Sequence, residues 1–340
     1  MSFYIFVKLT LGLVVLLEGV QGNSTKVRNI SIDCEKVKKV NLNSDRIQML
    51  EIGTTGTVSD VLFHNDLIIV RFKNSITAYN RHSGDSLFSY SRKGRRDDEY
   101  TAISNAWLVD DILELYDFNS YKLLRFDVQT GKLLNYLKGD DLEKDHRFNS
   151  LRWDGKSRRF IGQRTFPAKP VPDLAIYDKT HHFVSNIESP LKKSGFFLSS
   201  SPIIVSETGR LLYHRPFNRD VYLIEGTRLI PEYSISFKNK TLPKSISEEE
   251  GGKAMRYWLE NQDKYAVAME FFESKESFFI YYMLSNKGYL VRYDRAKGTY
   301  ETFYFSPRGG KISYHDGIIF LFTNEEAGTK IYMIPERILK

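Results

Sequence analysis

The sequence predicts an all-β fold, a six-bladed β-propeller, from a repeated hairpin pattern, a high aromatic content and a regular spacing. Residues 123–139 show the pattern: an apolar run ends at Phe126-Asp127, a turn contains Gly131, and a second apolar run follows. This pattern predicts a β-hairpin because Gly adopts positive φ without steric cost. Among 340 residues, 14% are aromatic, which favours strands with half-buried faces.

The repeat has the period of propeller blades. Aligning the third strand of each unit places these residues at equivalent positions: Tyr79, Phe126, Tyr177, Ile224, Tyr293 and Met333. Successive differences between these residue numbers are 47, 51, 47, 69 and 40, and blade repeats span about 40 to 50 residues. The segments AYNRHSG, RFDVQTG, IYDKTHH and RYDRAKG also resemble one another at this position.

Each unit supplies a set of short apolar runs separated by turn residues. The predicted strands are 60–63, 67–72, 76–80 and 87–90; 102–108, 112–117 and the hairpin at 123–139; 150–153, 160–165, 174–178 and 183–187; 196–199, 211–214, 221–224 and 231–237; 268–272, 278–284, 290–294 and 300–305; and 311–314, 318–323 and 330–334. The last unit therefore lacks one strand. The spare strand at 46–52 (RIQMLEI) supplies it, which closes the ring and leaves no unpaired inner edge.

The longest spacing marks a helical insertion between blades 4 and 5, at about 247–273. Ser247 and Glu250 have the spacing of a capping box. Met255, Trp258, Leu259 and Gln262 share one helical face. The helix is interpreted as a decoration that covers apolar blade surface, with a lid over a pocket as the alternative.

The N-terminal residues predict export. Lys8 precedes a short apolar run at 9–17, and small residues follow, so residues 1–22 are interpreted as a signal peptide. Nine apolar residues are too few to span a bilayer, and no later stretch is long and apolar enough. Residues 23–45 form a polar, lysine-rich, loose arm before the propeller domain at 46–340. We expect location in a periplasm or at a cell surface.

The single cysteine and the net positive charge further limit the class of protein to which this chain can belong. Cys34 is the only cysteine, so no internal disulfide forms, and it lies too far from the apolar run for lipid attachment. The formal charge of +7 is spread along the chain, as expected for a solvated basic surface, with an anion-binding face as the alternative. No nucleic-acid-binding motif is present. We expect a monomer.

No catalytic, metal or cofactor signature is present. The sequence lacks a Gly-x-Ser-x-Gly elbow, a His-Glu-x-x-His motif, a phosphate loop and a dinucleotide fingerprint. His181 and His182 are adjacent in a predicted turn, and neighbours in extended chain point apart, which favours exposed turn residues over metal ligands. The Asp pairs at 110–111 and 140–141 are typical of hairpin turns rather than of a calcium site.

Two clusters are candidates for ligand binding. Arg95, Arg96, Glu99 and Tyr100 lie in the connection between blades 1 and 2, where basic side chains could hold an anionic group. The other cluster follows the ends of second strands and contains Arg164, His214, Arg215 and Arg219. Together they suggest a basic face around the central channel. The alternative is that these arginines pair with acids at blade edges and help to pack the ring.

Two segments carry a family resemblance. The segment YHRPFNRDVYLIEGTRLIPEYSISFKNKTLPKS (213–245) and the segment GRRDDEYTAI (94–103) resemble exported six-bladed β-propeller proteins of Gram-negative gut anaerobes, related to TolB-like and NHL-like propellers. The resemblance covers about residues 46–335 and implies the fold, but no activity. Many members carry a lipid-attachment cysteine, which this sequence lacks.

These observations together favour an exported, non-enzymatic binding or scaffold propeller. One face would recognise a protein, a peptide or an anionic glycan. The alternative is a hydrolase or lyase with its active site in the central channel, since propellers carry both kinds of function. A purely structural role is a third hypothesis.

Overall fold

A computed structural model describes residues 27–53, 56–138, 148–164, 174–190, 202–215, 217–247, 249, 251–306, 310–325 and 328–339. These residues form six sheets, the six blades of a β-propeller, each built on four antiparallel strands. The predicted signal peptide at 1–22 lies outside the described residues. Within the described ranges, no helix has the length and apolar character needed to cross a membrane.

The elements follow one another in the predicted order. Three N-terminal strands are β1 (Arg28–Ser31), β2 (Val37–Asn41) and β3 (Gln48–Ile52). Blade 1 contains β4 (Val58–His64), β5 (Leu67–Phe72), β6 (Ile76–Asn80) and β7 (Ser86–Tyr90). Blade 2 contains β8 (Asn105–Val109), β9 (Ile112–Asp117), β10 (Lys122–Asp127) and β11 (Leu133–Leu137). Blade 3 contains β12 (Phe148–Asp154), β13 (Arg159–Arg164), β14 (Leu174–Tyr177) and β15 (Phe183–Asn186).

The second half of the ring includes the two helices. Blade 4 contains β16 (Ile203–Val205), β17 (Leu211–His214), β18 (Asp220–Glu225) and β19 (Arg228–Ser236). The insertion contains α1 (Lys244–Ser247) and α2 (Gly251–Glu260). Blade 5 contains β20 (Val267–Glu273), β21 (Ser277–Leu284), β22 (Lys287–Asp294) and β23 (Thr299–Ser306). Blade 6 contains β24 (Lys311–His315), β25 (Ile318–Glu325) and β26 (Gly328–Pro335).

Blade 6 is completed by the N-terminal strand β3, as predicted. β3 pairs antiparallel with β26, and Met49 lies opposite Tyr332 while Gln48 lies opposite Met333. The order β24-β25-β26-β3 therefore joins the two ends of the propeller by backbone hydrogen bonds. This pairing satisfies an edge that would otherwise be left open in the last blade.

The core lies between neighbouring blades. All six residues aligned in the sequence lie on third strands, and each is at most 8% exposed: Tyr79, Phe126, Tyr177, Ile224, Tyr293 and Met333. Aromatic rings from adjacent blades contact one another, and Tyr233 of blade 4 stacks on Phe278 of blade 5 with ring centroids 4.0 Å apart. The aromatic repeat in the sequence is therefore the repeat of the contacts between blades.

Residues 27–42, here called the strap, are not a loose arm, and that prediction was wrong. β1 pairs parallel with β19 as a fifth strand of blade 4, and β2 pairs parallel with β23 as a fifth strand of blade 5. Ile30, Ile32 and Leu42 of the strap are buried against the blades. Two strands of four and five residues, rich in Lys, are too short and too polar to show a hydrophobic period.

Cys34 lies in the strap and so belongs to the folded structure, although the sequence placed it before the fold. It is half-buried against the core between blades 4 and 5. Burial raises the pKa of its thiol, and a hydrogen bond with Tyr282 opposes that shift. A raised pKa lowers the thiolate fraction at neutral pH, so this thiol is a weak nucleophile.

The insertion packs on the blades, but its detailed prediction needs correction. Ser247 ends α1 and its hydroxyl donates to the carbonyl of Lys244, so it does not cap the following helix; Glu250 lies outside the described residues. Leu259 of the predicted apolar face is 48% exposed, and Gln262 lies beyond the helix end. Trp258 and Met255 of that face do pack, together with the small Ala254, in a cluster with Phe217, Leu242 and Val267.

Blades 2 and 3 are joined by a buried carboxylate. Glu114 on β9 accepts hydrogen bonds from Trp107 Nε1 at 2.5 Å and Arg125 Nε at 2.9 Å, and lies 3.1 Å from His181 Nε2. His181 follows β14 in blade 3 and is 3% exposed, so the prediction of an exposed turn histidine was wrong for His181. Its φ of 67° directs the ring inward between the blades. His182 is exposed, as predicted.

A buried carboxylate also joins blades 4 and 5. Glu273 on β20 has a fully buried side chain and contacts Arg210 Nη1 at 2.8 Å, while Tyr233 donates to it at 2.8 Å. Arg210 also contacts Glu232 at 2.8 Å, and Glu232 lies 3.6 Å from Arg28 of the strap. One chain of alternating charges therefore ties the strap to two blades.

Replacing Glu114 should destabilise the ring. Burial alone would raise the pKa of Glu114, but the contacts with His181, Trp107 and Arg125 outweigh it and lower the pKa, so the residue is a carboxylate at neutral pH. Glu114→Ala leaves the buried Trp107 and His181 and the partly buried Arg125 without their acceptor, and we expect a loss of about 3–5 kcal/mol in the free energy of unfolding. Urea denaturation measures it, and the exposed Glu35→Ala serves as the control. Equal stabilities of the two variants would contradict the assigned role.

Candidate functional site

The inner strands of the six blades line a central cavity of about 410 Å³. Side chains from β4, β8, β12, β16, β20 and β24 all contribute to its wall. This volume is within the range of about 300–1,000 Å³ that is typical of small-molecule sites. Since each blade presents its first strand to the axis, residues far apart in sequence meet there.

Four charged side chains cross the cavity and are here called the charged layer: Asp60, Arg152, Glu270 and Lys311. Arg152 Nη2 lies 3.2 Å from Asp60 Oδ2, so an arginine of blade 3 reaches an aspartate of blade 1. Lys311 Nζ of blade 6 lies 2.6 Å from Glu270 Oε1 of blade 5. The layer therefore consists of two ion pairs contributed by four blades.

The charged layer is largely removed from water. The exposed fractions of the side chains are 6% for Asp60, 15% for Arg152, 17% for Glu270 and 13% for Lys311. Burial raises the pKa of Glu270, the contact with Lys311 opposes the shift, and the charge of Asp60 adds to it. The proton affinity of Glu270 therefore depends on how closely Lys311 is held.

A second arginine, on the strand next to β4, lies close to the charged layer. Arg71 on β5 is buried, and its Nη1 donates to the carbonyl of Ile103 at 3.2 Å. Burial lowers its pKa, and the charge of Asp60 opposes that effect while the charge of Arg152 adds to it. With Arg71 included, three cationic side chains accompany two carboxylates at this end of the channel.

The remaining wall of the cavity is mainly apolar. Its apolar side chains are Val61, Leu62, Phe63, Leu108, Ile203, Ile204, Val205, Phe271, Phe272 and Ile312. Ser313, Tyr314 and His315 of β24 complete it. The His315 ring stacks on Phe63 with centroids 4.7 Å apart. The site thus combines a charged layer with an apolar wall.

The first predicted cluster lies on the face where the inner strands begin, and much of its charge is paired locally. Arg92 Nη1 donates to Asp98 at 2.7 Å, and the Arg96 amide donates to Glu99 Oε2 at 2.8 Å. The Arg96 side chain is nevertheless 86% exposed, and Arg95 is also exposed. These two guanidinium groups face solvent.

Glu99 and Tyr100 hold the connection in place rather than face a ligand. Tyr100 is 1% exposed, packs in the core of blades 1 and 2, and donates to the carbonyl of Asn74. A Cβ added at Gly94 would lie 1.9 Å from the Glu99 carboxylate, so glycine permits the close approach. Lys122 donates to the backbone carbonyls of Arg96 and Glu99.

The second predicted cluster attaches the helical insertion. Arg215 is buried and donates to the carbonyl of Glu249 at 3.3 Å, while Arg219 donates to the carbonyl of Leu242 at 2.9 Å. These bonds use backbone carbonyls, not the blade-edge acids considered in the sequence. His214 is 3% exposed and contacts the carbonyl of Asn218 at 3.1 Å.

Burial determines the charge of His214. The ring lies 4.2 Å from that of Phe271, and burial lowers its pKa to about 4. Its contact with the Asn218 carbonyl opposes that shift only in part. His214 is therefore neutral at physiological pH and packs between blades 4 and 5.

The structure does not bring the predicted residues together. Arg164 ends β13, and its side chain lies outside the described part of the chain. Of the seven predicted side chains that the structure describes, none lines the cavity. Sequence reasoning missed the charged layer instead. A charge within a mainly apolar first strand was the available signal, as at Glu270 in VAMEFFE, where Glu273 is the only other charged residue.

Comparisons with known proteins agree with the fold. A family described as a domain of unknown function (DUF4934) matches residues 53–339. A Bacteroides fragilis protein provisionally described as exported is 14% identical, with a TM-score of 0.68 over 90% of this chain and 98% of that one. The structure of U3-55K is 10% identical, with a TM-score of 0.51 over 90% and 100%. Among curated proteins, none matches.

His214 should make stability depend on acid. The unfolded chain binds a proton at this residue near its ordinary pKa of 6.5, whereas the folded state does so only near 4. The contribution of His214 to the free energy of unfolding is therefore fully present above pH 6.5, and it falls by about 3 kcal/mol as the pH drops toward 4. His214→Gln should flatten that slope in urea titrations at each pH. The exposed His182→Gln is the control, and an unchanged slope in His214→Gln would refute the assignment.

Proposed function

The chain belongs to the DUF4934 family of domains of unknown function, and from that premise we propose that it is an exported, non-enzymatic binding propeller. It recognises a protein, a peptide or an anionic glycan through the face on which the inner strands begin. The central cavity receives one group of that partner. The protein acts as a monomer, in a periplasm or at a cell surface.

The charged layer is the observation that carries this proposal. Buried ion pairs contribute little net stability, and replacing them with packed apolar residues is often neutral or stabilising. The pairs Asp60–Arg152 and Glu270–Lys311 nevertheless occupy the axis beside an open cavity. Binding accounts for them better than stability does, because a ligand can exchange with one member of each pair.

The rim supplies a second contact area. Arg95 and Arg96 precede blade 2 on the same face and expose their side chains to solvent. Solvent-exposed guanidinium groups form bidentate, charge-assisted hydrogen bonds with carboxylate or sulfate groups. They would therefore contact the outer part of a partner whose inner part enters the channel.

Export is supported from two sides. Residues 1–22 have the organisation of a signal peptide. The Bacteroides fragilis protein that shares the fold is provisionally described as exported. We further propose that the chain is related to the TolB-like and NHL-like propellers.

A hydrolase or lyase in the channel is the second candidate, and Glu270 favours it. A carboxyl group whose pKa is raised by burial, beside a second carboxylate at Asp60, is a common arrangement for general acid catalysis. Turnover of a bound glycan that is abolished in Glu270→Gln would establish this function. Binding that persists without product supports the binding propeller.

The binding function is tested with immobilised glycan and peptide arrays. The double variant Arg95→Ala/Arg96→Ala should bind any recognised ligand about tenfold or more weakly, since two charge-assisted contacts are lost. The matched control is Lys132→Ala/Lys179→Ala, two exposed cations at hairpin turns on the opposite face. Both double variants have the same net charge.

The two variants separate specific from general attraction. Weaker binding by the rim variant alone supports the proposed face. An equal loss in both variants would show that only the overall positive charge matters. Unchanged binding in both variants would show that Arg95 and Arg96 do not belong to the binding site.

A further inference from the structure

The polarity of the cavity changes along the channel axis. Among the residues of β4, β20 and β24 that line the cavity, the charged residue comes first, and mainly apolar or aromatic residues follow toward Phe63, Phe272 and Tyr314. First strands of a propeller run in the same direction along the axis, so these positions lie at corresponding levels. One end of the cavity therefore carries the charged layer, and the other end is mainly apolar and aromatic, with His315 stacked on Phe63.

This gradient matches a molecule with one anionic end and an apolar body. Lys311 and Arg152 present two cationic groups at the charged end. The apolar wall beyond them, which includes Leu62, Leu108 and Ile204, covers hydrocarbon. A sugar acid, by contrast, would place hydroxyl groups against that wall without hydrogen-bond partners, which is costly.

We propose that the central cavity binds an amphiphilic organic acid, whose carboxylate contacts Lys311 and Arg152 while its apolar body lies along the inner strands. This inference rests on the proposed binding function and specifies the group that enters the channel. In the absence of that acid, Glu270 and Asp60 occupy the positions of its carboxylate.

Binding is coupled to a proton. The carboxylate of the ligand replaces Glu270 as the ion-pair partner of Lys311. Glu270 then lies beside two other negative groups, the ligand and Asp60. Glu270 then binds one proton from solvent, and the charge at the site is balanced. Burial already raises the pKa of Glu270, which favours this proton uptake.

The other charged and titratable groups that surround Glu270 lie on the neighbouring blades. Asp60 and Arg152 face it from blades 1 and 3 and are paired. His214 of blade 4 contacts the neighbouring Phe271, and its pKa is about 4. Burial lowers the pKa of His315 at the other end of the wall, and Tyr314 has a raised pKa. Blade 2 contributes the apolar Leu108.

Titration calorimetry with octanoate tests the proposal. Octanoate should bind with a stoichiometry of one. Octanol and glucuronate should both bind at least about tenfold more weakly, because octanol lacks the carboxylate and glucuronate lacks the apolar body. Octanoate affinity should increase from pH 8 to pH 6, by up to about tenfold per unit for one linked proton. Buffers with different ionisation enthalpies measure the proton directly.

Two variants locate the site. Glu270→Gln removes the competitor of the ligand, so octanoate should bind more tightly and lose its pH dependence. Lys311→Met should weaken binding about tenfold or more. Lys297→Met, at an exposed turn of blade 5, is the matched control and should bind as the parent does. Thermal unfolding of each variant establishes that it is folded.

Each result decides the inference. Tighter, pH-independent binding in Glu270→Gln supports it, and so does weak binding in a folded Lys311→Met. Saturable binding that neither variant changes would place the acid elsewhere and overturn the inference. Absence of octanoate binding would overturn it as well, while array binding that depends on Arg95 and Arg96 would leave the proposed function standing.

Discussion

The pairing of β3 with β26 is the constraint on which the rest of the structure depends. The four antiparallel strands of blades 1 to 5 are consecutive in the sequence, but blade 6 takes the fourth of these strands from the other end of the chain. Because this pairing joins residues about 280 positions apart, such as Met49 and Tyr332, it fixes the ring as one closed body. The six first strands then lie around one axis, and the cavity and its charged layer exist only because the ring is closed.

Polar side chains act in two distinct ways in this ring. Glu114 and Glu273 lie between blades, where each is surrounded by donors that hold it in one position. Asp60 and Glu270 lie instead at a cavity, each with a cationic partner that a ligand could take. The first pair stabilises the contacts between blades, and the second pair makes the channel chemically selective. Glu114 and Glu273 are enclosed by protein, whereas Asp60 and Glu270 border the open space of the cavity.

The fold was predictable because its signals are local and repeated. The aromatic-Asp turn, the spacing of the third strands and the spare strand at 46–52 each reflect hydrophobic pattern and turn chemistry within a few residues. The strap was missed because its strands are short and polar and gain stability from blades far along the chain. His181 was misread for a related reason. Its turn looks exposed in sequence, but the partner that buries it belongs to another blade.

The sequence by itself determined the number of blades, the seam and the position of the helical insertion, because short-range patterns specify strands and turns. Only the tertiary structure decided which polar residues meet. Arg215 and Arg219 form a plausible site in sequence, yet folding directs them to backbone carbonyls of the insertion. Arg152 and Asp60 are 92 positions apart and meet across the channel. No local pattern encodes that contact, since it arises from the closure of six sheets around an axis.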